Sequence, residues 1–217
     1  MINTVIFDMD GVIIDSEPIH RELQQQKFNE LGITISAEQY QGFVGTSAKN
    51  MWQQLIREHG LDISLEALLE ADIVEYRDYL LAQTDLKPIE GIVPLLDQLQ
   101  ELEFQILLAS SATPQSIQTV MDIFNLHDYF LHKVSGATLT HSKPHPEIFE
   151  VSARLGQVAA RQCVVIEDST NGIKAAKAAS MKCIGFQNPQ SGEQDLSQAD
   201  WVVNAISEIQ GSLLRDL

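Results

Sequence analysis

The sequence predicts an α/β protein built on a parallel sheet, with a helical unit inserted after the first strand. Three observations predict it. Short apolar runs rich in branched residues occupy 4–7, 105–109, 163–166 and 182–186, with a weaker one at 201–203. Amphipathic segments of helical length, at 92–102, 114–124, 146–155 and 172–179, alternate with them. Strands and helices alternating at this spacing encode a parallel sheet covered on both faces. The third observation is a break in that alternation, because residues 15–84 carry helical periodicity and almost no strand signal.

The first run, Thr4-Val5-Ile6-Phe7, is cut short by Asp8. In the helical stretch, Leu23, Phe28 and Leu31 recur at helical spacing, as do Met51, Leu55 and Ile56, then Leu65, Leu68, Leu69, Ile73, Tyr76 and Leu80. The chain is therefore expected to divide into a core of residues 1–14 and 85–217 and an inserted unit of residues 15–84. The insertion ends before Pro88-Ile89-Glu90-Gly91, so it is expected above the end of the first strand, the edge where open parallel sheets bind ligands.

Of the 217 residues, 44% are hydrophobic and 20% charged, enough apolar material for a core. The formal charge is −16, from 30 acidic against 14 basic residues. Such a field repels nucleic-acid backbones and anionic membranes, so neither is an expected partner. A phosphate ester can still bind where a metal ion and a lysine reverse the sign locally. Cys163 and Cys183, each in an apolar run, read as core thiols of a reducing compartment. There is no basic leader followed by a long apolar stretch, and no run of roughly 18 apolar residues. The expectation is a cytoplasmic protein, monomeric or weakly homo-oligomeric.

Four features carry chemistry. Phe7-Asp8-Met9-Asp10-Gly11-Val12 places two carboxylates at a strand's end, one able to act as nucleophile while the other handles protons. Ile106-Leu107-Leu108-Ala109-Ser110-Ser111 is a second strand ending in hydroxyls, suited to phosphate oxygens or to simple helix capping, with Thr113-Pro114 opening the next helix. Ser142-Lys143-Pro144-His145-Pro146 aims a lysine from a stiff turn. Val164-Val165-Ile166-Glu167-Asp168-Ser169 ends a buried strand in two acids, which are costly unless they hold a cation or accept hydrogen bonds. Magnesium suits such hard oxygen donors, although Asp168 or Ser169 could instead cap the next helix. Together the four supply the in-line nucleophile, metal, cation and donors that phosphoryl transfer needs.

With these motifs in this order over nearly the whole chain, the sequence resembles the haloacid dehalogenase superfamily, in the branch of beta-phosphoglucomutase and its phosphatase relatives. The resemblance implies a Rossmann-like core with an inserted helical-bundle cap that closes over the site. It implies that Asp8 becomes a phospho-aspartate and that Asp10 protonates the leaving oxygen and then activates water or an acceptor alcohol. Mg2+ would be held by the Asp8 carboxylate, the Asp10 carbonyl and Asp168, with Glu167 nearby. Ser110, Ser111 and Lys143 would grip the phosphoryl group. Cap contacts to substrate are expected around His20 and in the loop 42–49, including Gly45 and Lys49, although His20 reads equally as a packed helix residue.

The departures point toward hydrolysis. Beta-phosphoglucomutases place a lysine where this sequence has Val44, a tryptophan where it has Gln24, and an arginine where it has Ala48. A mutase must hold a second phosphate in the cap, and the charge for that is depleted. The expected activity is therefore a magnesium-dependent phosphatase acting on small phosphorylated metabolites such as sugar phosphates, with a hexose phosphate mutase as the alternative. A non-catalytic binding protein on this fold is disfavoured because Asp8 and Asp10 are both present. A receiver domain is disfavoured because it lacks DxDG and a helical cap.

Overall fold

The structure, a computed structural model, describes residues 1–41, 43 and 48–217. Six strands carry the core: β1 (Thr4–Phe7), β2 (Gln105–Ser110), β3 (His132–Ser135), β4 (Cys163–Glu167), β5 (Lys182–Phe186) and β6 (Trp201–Val203). All neighbours pair in parallel, in the order β3-β2-β1-β4-β5-β6. β1 thus lies between β2 and β4, where the strand order reverses and a crevice opens at the carboxyl ends. Phe7 is level with Leu108 on one side and Ile166 on the other, so the residues following these strands share one rim.

Register explains the core. Ile6 lies level with Leu107 and Val165, and Val165 with Cys183. These four side chains form one row across a face of the sheet, packed with Phe149, Ile148 and Ile173 from covering helices. Strands buried on both faces need continuous rather than alternating apolar sequence, which is why the runs at 4–7 and 163–166 were conspicuous. Burial pushes the Cys163 thiol up to about 11 and raises that of Cys183 further, so both behave as apolar packing groups.

β3 is absent from the sequence reading. His132-Lys133-Val134-Ser135 contains one branched apolar residue and is half-buried at its start. An edge strand has a single partner, and polar side chains are tolerated there. Its pairing, Leu107 to His132 through Ser110 to Ser135, comes from the sheet and not from its own hydrophobicity.

Helices α5 (Ile92–Glu101), α6 (Pro114–Phe124), α7 (Glu147–Leu155), α8 (Thr170–Ala178) and α9 (Gly211–Leu214) belong to the core. Thr113 caps α6, its Oγ1 accepting from Ser116 N at 3.2 Å, with Pro114 following it. Ser169 caps α8 by accepting from Gly172 N at 3.0 Å.

The chain separates into two compact units, Met1–Ser16 with Asp85–Leu217, and Glu17–Thr84. The division falls just after Ser16, two residues beyond the expected limit, because Ser16 is buried and bonded to Asp10. The second unit comprises α1 (Glu17–Glu30), α2 (Ala37–Gln41), α3 (Ala48–His59) and α4 (Leu65–Ala82). Its own core joins Phe28, Ile33, Met51, Trp52, Leu55 and Leu68, with Phe28 edge-on to Trp52. Among the described residues no helix is long and apolar enough to cross a membrane.

Candidate active site

The segment after β1 is a turn built around Met9. Asp8 N–H donates to Ile166 O at 3.0 Å, extending the ladder one step, and Ile13 and Ile14 N–H both donate to Met9 O, at 2.8 and 3.1 Å. Gly11 sits at φ +78°, a left-handed conformation that costs glycine little. A Cβ there would lie 1.9 Å from Asp168 Oδ2. Glycine therefore lets the Asp168 carboxylate lie against the turn at the β4 tip.

Into this rim Lys143 arrives from the loop between β3 and α7. Its ammonium donates to Asp8 Oδ1 at 2.5 Å, Glu167 Oε1 at 2.6 Å and Ala109 O at 3.3 Å, using all three donors. Its stem passes the Phe149 ring, with Nζ 5.2 Å from the centroid. The other oxygen of Glu167 accepts from Asp168 N at 3.0 Å, Ser169 N at 2.9 Å and Ser169 Oγ at 2.9 Å. Both Glu167 oxygens are thus engaged, and a Cβ on Gly172 would lie 1.7 Å from Oε1; the first turn of α8 carries a glycine where this carboxylate needs room.

Asp10 is held from two sides. Ser16 Oγ donates to its Oδ1 at 2.7 Å, and Ser110 Oγ stands 3.4 Å from its Oδ2 while accepting from Ala112 N at 3.0 Å. Ser110 is wholly buried, whereas Ser111 is exposed. Asp168 accepts a hydrogen bond from Ser191 Oγ, and Asn188 Nδ2 donates to Gly11 O at 2.9 Å. The structure therefore brings Asp8, Asp10, Ser110, Lys143, Glu167 and Asp168 to one rim. Ser16, Asn188 and Ser191, which support it, were not singled out from sequence; Asn188-Pro189 is a turn-type dipeptide that could have marked the loop, though not its contacts.

Of the residues expected to touch substrate from the inserted unit, His20 is half-buried and stacked on Tyr76, with ring centroids 4.5 Å apart and planes at 15°. Lys49 is exposed in the first turn of α3. Gly45, with Val44, lies outside the described residues.

Three buried carboxylates and one ammonium leave the cluster short of positive charge. Burial pushes the Asp8 carboxyl up to about 8; Lys143 opposes the rise, and Glu167 and Asp10 add to it. Asp168 is raised by burial and then by the charges of Glu167 and Asp8. Burial works against the Lys143 charge too, but Asp8 and Glu167 more than offset it and hold its pKa above the ordinary lysine value. A buried excess of negative charge on hard oxygen donors fits a small divalent cation. Asp8 and Asp168 are the carboxylates available to it, since Glu167 is spent on Lys143 and the main chain.

Residues 5–186 match the haloacid dehalogenase-like hydrolase family. Hexitol phosphatase B of Escherichia coli (strain K12) is 29% identical over 210 residues, covering 94% of this chain and 92% of that protein. Beta-phosphoglucomutase of Bacillus subtilis (strain 168) is 28% identical over 219 residues, covering 98% and 93%. In fold, the chain superposes on CbbY from Rhodobacter sphaeroides in complex with phosphate with a TM-score of 0.89, at 22% identity and full coverage of both chains.

Proposed function

The chain belongs to the haloacid dehalogenase-like hydrolase family, and from that premise we propose that it is a magnesium-dependent phosphatase of small phosphorylated metabolites, sugar phosphates in particular. The observation that carries the reading is the convergence of Asp8, Lys143 and Asp168 on one rim, with Asp10 fixed beside them by Ser16.

Asp8 is the nucleophile. Its carboxylate oxygen attacks phosphorus, the bond from phosphorus to the ester oxygen breaks, and Asp10 delivers its proton to the departing alkoxide. Water then attacks the acyl phosphate, Asp10 takes the water's proton, and inorganic phosphate leaves with Asp8 regenerated. Lys143, exchanging one of its three present acceptors, and the Ser110 hydroxyl with the backbone after it would hold the equatorial phosphoryl oxygens. Magnesium would be held by Asp8, Asp168 and the Asp10 carbonyl, where it supplies the positive charge that keeps buried carboxylates ionised. Glu167 in this scheme orients Lys143 and does not ligate.

Hydrolysis is favoured over phosphate migration by the inserted unit's sequence, which has Val44 and Ala48 where the mutases carry a lysine and an arginine. Lys27 is paired with Glu30 and Glu75 and Arg21 lies over the Tyr40 ring, which leaves the exposed Lys49 as the cation beside those positions. Named relatives include both a phosphatase and a mutase, so the deciding experiment offers both outcomes. Purified protein with magnesium is given beta-glucose 1-phosphate and a trace of glucose 1,6-bisphosphate, and free phosphate and glucose 6-phosphate are followed together. Phosphate should be released faster. Faster formation of glucose 6-phosphate would make the enzyme a mutase.

A further inference from the structure

On the outer side of the Lys143 loop, three side chains that the phosphoryl-transfer scheme does not use converge. His141 and His145 stack with ring centroids 4.2 Å apart and planes at 24°. His141 Nδ1 is 2.9 Å from Glu147 Oε2, and that carboxylate also accepts from the N–H groups of His141 at 2.8 Å and Thr140 at 3.3 Å. Glu147 N–H in turn donates to His145 Nδ1 at 3.3 Å. Donor atoms from all three side chains lie within 4.8 Å of one another.

We propose that His141, His145 and Glu147 form a second metal site, one for a divalent transition ion such as zinc. Two imidazoles and a carboxylate are a zinc donor set, and imidazole selects zinc, copper or nickel over magnesium. Metal–ligand bonds of roughly 2.0–2.1 Å at tetrahedral angles put donors about 3.3 Å apart. The His141–Glu147 edge is already near that spacing. His145 is exposed, and a ring rotation closes the third position while water takes the fourth. Glu147 is anchored by the backbone N–H groups of His141 and Thr140, which holds its carboxylate beside His141 Nδ1 before an ion arrives. The chain's net charge of −16 adds a field that concentrates cations.

The site brackets Lys143, with one ligand before it and two after it, so a bound ion would clasp the loop that delivers the lysine to Asp8. This is chemically distinct from the all-oxygen cluster, and the two are separable by ion. The test uses untagged, metal-free full chain in millimolar magnesium, which saturates oxygen sites. Cobalt(II) is titrated while visible absorption is followed, and zinc affinity is measured by competition with a chromophoric chelator. One zinc per chain should bind, displace cobalt and resist magnesium. Affinity should fall by at least about tenfold in His145→Ala and in Glu147→Gln, and further in the double variant His141→Ala/His145→Ala. Absence of zinc binding, displacement by magnesium, or undiminished binding in the double variant would each overturn the proposal. The histidines are exposed, so circular dichroism of the variants should match the parent and leave the affinities interpretable.

Discussion

The hydroxyl of Ser16 donates to Asp10 Oδ1 at 2.7 Å, and it comes from a wholly buried residue at the last position before the chain leaves the core. This bond fixes the carboxylate that the scheme uses twice, first as acid and then as base. Ser16→Ala should lower kcat by about 10- to 150-fold with little change in KM, the loss of one hydrogen bond to a charged group being worth roughly 1.5–3 kcal/mol. Steady-state kinetics would check this. A rise in KM at constant kcat would show that Ser16 serves substrate binding instead.

The two acids of the turn should fail differently. Asp8→Asn removes the nucleophile and should abolish turnover, and with it the capture of trifluoroberyllate. Asp10→Asn should slow turnover by about 10²–10⁴ while the analogue still binds. Near-native turnover by Asp8→Asn would require another nucleophile.

Glu167 is a matter of stability. Its two oxygens face Lys143 on one side and three donors on the other. An amide has one oxygen, so Glu167→Gln turns an N–H group toward donors whichever way it is flipped. It also leaves Lys143 less compensated. Urea denaturation should show a loss of about 2–4 kcal/mol.

Gly11→Ala should be inactive yet folded. The added Cβ would lie 1.9 Å from Asp168 Oδ2 at a positive φ, displacing the carboxylate or the turn. Misplacement by an ångström costs on the order of 10²-fold, and raising magnesium should not restore the rate. Full activity in this variant would remove Asp168 from the chemistry.

In the inserted unit, burial pushes Asp72 up to about 6, with the Trp52 indole N–H, which donates at 2.6 Å, opposing the rise and Glu75 adding to it. A carboxyl whose pKa is higher folded than unfolded binds more protons when folded between the two values. Stability is therefore lost as pH rises from about 4 to about 6. Asp72→Asn, which can still accept from the indole, should flatten that part of the stability curve. It should also raise the unfolding free energy at neutral pH, by up to about 2 kcal/mol. An unchanged pH profile would show that the aspartate is well solvated.

Much of the core and the rim was legible because each depends on local pattern. Asp8, Asp10, Ser110 and Glu167 end or follow strands that declare themselves as apolar runs, and Lys143 lies between two prolines that stiffen its turn. What escaped was fixed by tertiary partners. Ser191 reaches Asp168 across the fold, and Asn188 reaches Gly11 from the opposite end of the sequence; neither stands in a periodic segment. β3 is held by its neighbour, not by its own residues. The double role of Glu167 also lay outside the sequence, since adjacent acids give no indication of which will be consumed by internal donors.

Ile89 N–H donates to Ile13 O at 2.8 Å, so the strands of chain leaving and re-entering the core are clasped before the inserted unit begins. The sheet consequently does not register how long or how elaborate that unit is, because the entropy of bringing its two ends together is met by the core alone. Such a joint behaves as a socket. Changes in the length of the insert are thus expected to leave Asp8, Asp10 and Gly11 in place, because the joint is closed by core residues on both sides.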